Sequence, residues 1–266
     1  MASAKGIESK SELESGNIEF ALVHQNKKAQ VKEKIFITRL VTKEDIPALR
    51  KLEVEKWGVN GFTNENLESI IKLAPEYSWG YFDQSSGKAL GSCFVMGKSK
   101  EKIINSKDWF ETTDNGNATS HNKKSKTWFG MSLSSSHDDA VLAILVDVLT
   151  KVLKDGIKEV YLGAPISGFH KWSEKNPNKS VNDYIKLFKT FNNKNVHIDP
   201  LLAYYMQYGF KIVCVKENYF PYESAHNYGV IIKYKNPVWF LGPIMKLIPN
   251  NIFNKVMKKI ASYYKT

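Results

Sequence analysis

Three runs follow one another between Thr127 and Gly156: TWFGMSL, the polar turn SSSHDD, and AVLAILVDVLTKVLKDG. The first is short and apolar, as a buried strand is. The last is long enough for a buried helix. EVYLGAPI then supplies another strand-like run. Helices set between strands imply a mixed sheet covered on both faces. The turn is the chemically telling part. A strand leading through a turn into a helix N-terminus is the usual frame of a phosphate cradle. Such cradles favour glycine, which lets backbone N–H groups approach the anion. This turn has two aspartates and no glycine. Ser136 is suited to be an N-cap, and Asp139, three residues on, would complete a capping box. Two carboxylates would also repel a pyrophosphate, by about 3 kcal/mol for each like-charge pair at ~5 Å and an effective dielectric near ~20.

The flanking sequence fills in the order. IFITRLV (35–41) reads as a first strand, and Thr42 with Asp45 has capping-box spacing at the start of a helix through Trp57. Ile46, Leu49, Leu52 and Val54 give that helix its apolar face. A second helix spans Asn64 to Leu73 before Pro75, and WGYFD and ALGSCFVMG form a hairpin around QSSGK. Residues 98–126 are polar and read as a long loop or lid. Residues 167–180 read as a loop and VNDYIKLFKTF as amphipathic. DPLLAYYMQYGF reads as a helix closed by Gly209, and KIVCVKENYFP and NYGVIIKY as a last pair of strands.

Composition narrows the classes. Cys93 and Cys214 are too few for a disulfide framework and lie in apolar runs, as buried free thiols do. The first residues lack the apolar core of a secretion signal, and no run of eighteen apolar residues occurs. A cytoplasmic chain is expected, with a polar, flexible leader over 1–33. The net charge of +11 comes almost entirely from lysine, with arginine only at 39 and 50. Readers of duplex DNA rely on arginine for bidentate contacts, so no nucleic acid is expected as partner. The histidines have no metal-ligand spacing, so no metal site is expected.

Three stretches carry a resemblance, and a longer one near the end carries a closer one. The order over about 35–235, the hairpin, the strand-turn-helix at 127–155 and YMQYGF (205–210) resemble the GNAT acyltransferase superfamily. DPLLAYYMQYGFKIVCVKENYFPYESAHNYGVIIKY is similar to the GNAT-like domains of nitrilase fusions and of polyketide synthase loading modules, and Trp57 matches a tryptophan of the latter. The resemblance implies an α/β fold with a GNAT-like domain over 34–236. It also implies transfer of an acyl group from a thioester, either acyl-CoA or an acyl carrier protein, to an amine or thiol by direct attack. Tyr205 would be the general acid toward the leaving thiolate, and the backbone near Met131, Ser132 and Leu133 would hold the carbonyl oxygen.

The donor-binding pattern of the family falls on Ser135, Ser136 and Ala140, where only the small residue Ala140 survives. A histidine, an arginine and a threonine of the loading-module domains fall on Tyr205, Phe220 and Pro165, so their decarboxylation is not implied. Trp57, Phe62 and Trp79 either line the acyl pocket or fill the core. Glu223 and His226 are either pocket residues or plain turn residues.

Residues 237–266 hold five lysines and no acid, and Ile252, Phe253, Val256, Met257 and Ile260 fall on one helical face. That pattern suits a peripheral anchor on an anionic membrane, or an extra helix packed on the domain. The alternative function is a catalytically degenerate GNAT-fold module that binds lipid, membrane or a protein partner.

Overall fold

The computed structural model describes residues 35–262; the expected leader over 1–33 lies outside them. The elements run β1 (Phe36–Leu40), α1 (Ile46–Trp57), α2 (Asn64–Leu73), β2 (Ser78–Asp83), β3 (Ala89–Gly97), α3 (Lys100–Asn105), α4 (Trp109–Thr113), β4 (Thr127–Ser135), α5 (Asp138–Lys154) and β5 (Glu159–Pro165). They continue as α6 (Phe169–Lys175), α7 (Val181–Tyr184), β6 (Phe188–Phe191), β7 (Lys194–His197), α8 (Pro200–Gln207), β8 (Lys211–Lys216), β9 (Gly229–Lys235), α9 (Gly242–Met245) and α10 (Asn250–Ser262). Seven strands form one mixed sheet in the order β1-β2-β3-β4-β5-β9-β8. Only β4 and β5 run parallel, joined by α5.

Successive side chains of a strand point to opposite faces, and the core divides accordingly. Phe94, Met96, Phe129 and Tyr161 meet Leu49 and Leu52 of α1 and Leu67 and Ile70 of α2 on one face. Cys93, Val95, Trp128 and Val160 meet Ile144, Val148 and Val152 of α5 on the other. Gly91 lets α5 settle on β3, since a Cβ there would stand 2.8 Å from that of Ala140. Gly209, at φ +85°, follows the last residues of α8 as the sequence expects.

Several local expectations change. Val54 is 47% exposed, and Glu53 takes the inward position at 1%. The 3.6-residue period from Ile46 and Leu49 brings residue 53, not 54, onto the buried stripe. Residues 98–126 carry two short helices, and buried Lys98 reaches the Thr112 carbonyl (2.6 Å) and Asp114 (3.2 Å). The 167–180 segment holds α6. VNDYIKLFKTF is helical only over α7; its end is β6, paired with β7 through Asn192 and Asn193 at positive φ. That Asn-Asn pair is the hairpin signal its amphipathic pattern obscured. Cys93 is buried, whereas Cys214 is half-buried.

The C-terminal segment packs on α5. Phe253 and Met257 are buried against Val146, Leu149, Leu153 and Met245. Thr150 and Asn254 bond at 3.1 Å. Ile252 and Val256 stay 54% exposed, so the expected apolar face is split between the domain and solvent. The side chain of Ile260 lies outside the described residues.

Candidate active site

The register of the sheet creates the site. β4 and β5 pair only from Thr127↔Glu159 to Gly130↔Leu162. Beyond that point β4 continues to Ser135 against β3 alone, and β5 to Pro165 against β9 alone. The parallel strands therefore part, leaving Met131 to Ser135 without a strand partner on the β5 side. Two local features coincide with the parting. The register against β3 slips between Phe94 and Val95, so Met131 is the extra residue of a bulge. At Gly130 a Cβ would collide with the Leu162 side chain.

A mostly apolar cavity of about 520 Å³ lies at this gap, with lining from both faces of the sheet. Its α5 side is bounded by Val148, Leu149 and Val152, by Tyr205 and Tyr208 of α8, and by Met257. Its α1 side is bounded by Glu53, Trp57, Phe62, Trp109, Phe220 and Tyr222. Met131, Ser132 and Leu133 line it at the parted edge. Pro165 and Phe220, two positions where the loading-module pattern is replaced, line it as well.

Tyr205 makes no hydrogen bond to any described residue, and its hydroxyl pKa is pushed up to about 12 by burial and then by nearby Cys93. It therefore stays protonated at ordinary pH, as a proton donor must.

Sequence reasoning missed Glu53. Its Oε1 accepts from Ser134 Oγ (2.8 Å) and Ser92 Oγ (3.2 Å), and Oε2 faces the Phe62 N–H at 3.5 Å. Trp57 Nε1 donates to Ser134 Oγ at 2.7 Å, and Ser132 Oγ lies 3.3 Å from it. A chain thus runs from the cavity edge at Ser132 to the carboxylate. Burial raises the Glu53 pKa above the ordinary carboxylate range, against the lowering by these hydrogen bonds and by Arg50. The Arg50 guanidinium itself is spent on the Gly61 (3.2 Å) and Phe62 (2.8 Å) carbonyls. The available signal was a glutamate at i+7 from Ile46 on an amphipathic helix. Trp109, in the segment read as a lid, forms part of the wall and donates to the Met131 carbonyl at 3.0 Å.

Other expected site residues lie elsewhere. Trp79 is core, 4% exposed, with Tyr77 and Tyr81. Glu223 is exposed, and His226, stacked on His170, contacts Ser173 at 3.1 Å in a surface turn. Neither lines the cavity. Ser135 bonds the backbone of His137. Ala140 is fully buried under β3. The expected Ser136 cap is replaced: α5 is capped by His137, whose Nδ1 accepts from the Asp139 N–H at 3.2 Å. Ser136 Oγ points to the Leu90 carbonyl at 3.4 Å. The His137 ring lies on Phe36 and Tyr81, with centroids 4.8 and 5.7 Å apart, which fixes it as the cap. Among the described residues no group of three or more His, Cys, Asp or Glu is placed to hold a metal.

A mixed sheet whose two central parallel strands part, with helices on both faces, is the GNAT fold. The chain superposes with a TM-score of 0.62 on the loading GNATL domain of CurA from Lyngbya majuscula, at 17% identity over 76% of this chain and 98% of that one. For the GphF GNAT-like decarboxylase in complex with isobutyryl-CoA the TM-score is 0.60, at 16% identity over 75% and 98%. The chain is 23% identical over 212 residues to the probable hydrolase YhcX of Bacillus subtilis (strain 168), a match that spans 77% of this chain and 39% of that protein. No protein-family model matches the chain.

Proposed function

We propose that the chain moves an acyl group from a thioester to an acceptor by direct attack, with no covalent enzyme intermediate. The observation that carries this reading is the cavity at the parted strands, with Tyr205, whose hydroxyl has no hydrogen bond to any described residue, among its lining residues. A thioester laid in the gap would present its carbonyl oxygen to the β4 edge at Met131–Leu133, where N–H donors stabilise developing negative charge. The attacking group would enter from the α1 side, and the C–S bond would break as Tyr205 protonates sulfur. The apolar walls suit an acyl chain.

The isobutyryl-CoA complex of GphF supports a CoA thioester as donor. The start of α5, capped by His137 and followed by exposed Asp138 and Asp139, argues that pyrophosphate is not held in a glycine cradle. A carrier-protein thioester has no pyrophosphate and is the rival source. Titrating acetyl-CoA, octanoyl-CoA and acetyl-phosphopantetheine while following thermal unfolding tests the reading. A bound donor at a hundredfold excess over Kd stabilises by about 2.7 kcal/mol. No shift with any of the three would sink the reading. A shift with the pantetheine thioester alone would assign the carrier-protein donor.

A second reading concerns the surface. Phe240, Ile244 and Leu247 are 61%, 62% and 81% exposed, in a segment that also carries the exposed Lys255 and, next to Leu247, Lys246. Apolar side chains flanked by lysines suit an anionic bilayer, and sedimentation with lipid vesicles tests that.

A further inference from the structure

The cavity does not stop where the strands part. Val160 of β5 and Tyr234 of β9 line it, and these two are paired with each other in the sheet, with Val160 also opposite Trp128 of β4. The cavity therefore runs along the α5 face past Gly130↔Leu162, the last β4–β5 pair. Leu145, Leu149 and Leu153, each four residues on and all half-buried, present one face of α5 to this extension. Tyr208 and Phe210, at the end of α8, line it too.

The far end belongs to the C-terminal helix. Met257 of α10 is 5% exposed and lines the cavity. Leu149 and Leu153 are shared, since they line the cavity and also pack with Phe253 and Met257. Lys154, the last residue of α5, donates to the Ile248 carbonyl (2.6 Å) and to Asn250, which ties the turn before α10 to the end of α5. The extension is thus built with a helix that follows the last strand of the sheet and adds nothing to the sheet itself.

Its chemistry is apolar. Among the described residues lining the cavity, Glu53 is the sole charged side chain, and it lies on the α1 side. A nucleophile attacks a carbonyl perpendicular to the plane of its oxygen, sulfur and acyl carbon. With the oxygen at the β4 edge and attack from the α1 side, the acyl chain is left toward α5, where the extension begins. An acetyl group would leave most of the cavity of about 520 Å³ unfilled. An empty apolar cavity forfeits packing and does not recruit water, so it is complementary to hydrocarbon.

We propose that the donor carries a long acyl chain, which runs down the α5 face with its methyl end at Met257, so that α10 sets the chain length. This rests on the acyl-transfer reading and names the donor class of that same site. A CoA thioester and a carrier-protein thioester share this chain, and the test separates them.

The test uses the full chain with the acetyl, octanoyl and dodecanoyl thioesters of CoA and of phosphopantetheine, followed by calorimetry. Affinity should rise with chain length, by about fourfold for each added CH₂ that becomes buried. A rise in both series assigns the chain to the cavity whichever carrier brings it, and a rise with phosphopantetheine alone assigns the carrier-protein donor. Two variants at one position bracket the end of the chain. Met257→Trp should cut the gain from octanoyl to dodecanoyl at least tenfold, and Met257→Ala should enlarge it. A helix that merely props the fold would move both variants in the same direction, and that result would overturn the proposal. Equal affinity for acetyl and dodecanoyl thioesters would also overturn it and leave acyl transfer standing. If no thioester binds, acyl transfer fails, and 1-dodecanol, which has the chain without the thioester, decides the chamber alone. A rise in melting temperature in wild type that is reduced in Met257→Trp supports the chamber. No rise, or a rise equal in both proteins, overturns it.

Discussion

Tyr205 and Glu53 sit on opposite sides of the parted sheet and are tuned the same way, toward the proton-bearing form, for the same first reason of burial. Their surroundings differ. Tyr205 has no hydrogen-bond partner among the described residues, whereas Glu53 accepts from two serines and faces one backbone N–H. Replacing Tyr205 by Phe removes a proton donor and breaks no bond. The expected outcome is a kcat lower by roughly 10²-fold, with KM and melting temperature little changed. With a pKa near about 12, Tyr205 keeps its proton through pH 10, so its loss should not produce an alkaline limb below that pH. Steady-state kinetics of both proteins from pH 6 to 10 check this, and an unimpaired Phe variant would remove Tyr205 from the mechanism.

At the scale of elements, the site depends on helices that the sheet itself does not require. The 98–126 segment is fastened by Lys98 and by the Trp109 bond to Met131, and Trp109 lines the cavity. The helix α10 closes the far side, where Met257 lines the cavity and Phe253 anchors the turn before it. A helix of 13 residues holds little structure alone in water. Its docking depends on these two side chains. Phe253→Ala removes about 3 kcal/mol of packing, more than the isolated helix can replace. Amide exchange across 250–259 should rise sharply while β3, β4 and β5 remain protected. Uniform loss of protection would mean instead that α10 is part of the cooperative core.

At the scale of the whole molecule, positive charge and exposed apolar side chains occur together in the last segment of the chain. The chain carries +11, and the segment from 237 holds lysines without acids beside the exposed Phe240, Ile244 and Leu247. Among the described residues no helix is long and apolar enough to cross a membrane. Contact with an anionic bilayer would combine shallow apolar insertion with about 1 kcal/mol per lysine near the surface. Full-length protein should sediment with anionic vesicles at low salt and be released as salt screens the lysines. Leu247→Asp should weaken that binding without lowering the melting temperature, because Leu247 is 81% exposed. Protein that ignores anionic vesicles at low salt would leave this surface without a lipid role.

The sequence by itself determined the order along the chain of the seven strands of the main sheet, the β2–β3 hairpin, the strand-helix-strand core and the Gly209 stop. Each of these is written in local periodicity and turn chemistry, which act over a few residues. Tyr205 and Met131–Leu133 were legible as candidates only through the family resemblance. The tertiary structure decided what depends on two distant segments meeting. Glu53 reads as one more surface charge until α1 turns it under Ser92 and Ser134. His137 replaces Ser136 as the cap because Phe36 and Tyr81, on two other strands, hold its ring in place. Trp79 looked like pocket lining, but strand alternation sends it to the α5 face. The C-terminal stripe is divided because Phe253 and Met257 turn onto α5 and Met245 while Ile252 and Val256 face solvent. Periodicity shows that a face is apolar; the partner that covers it is fixed only when the chain closes.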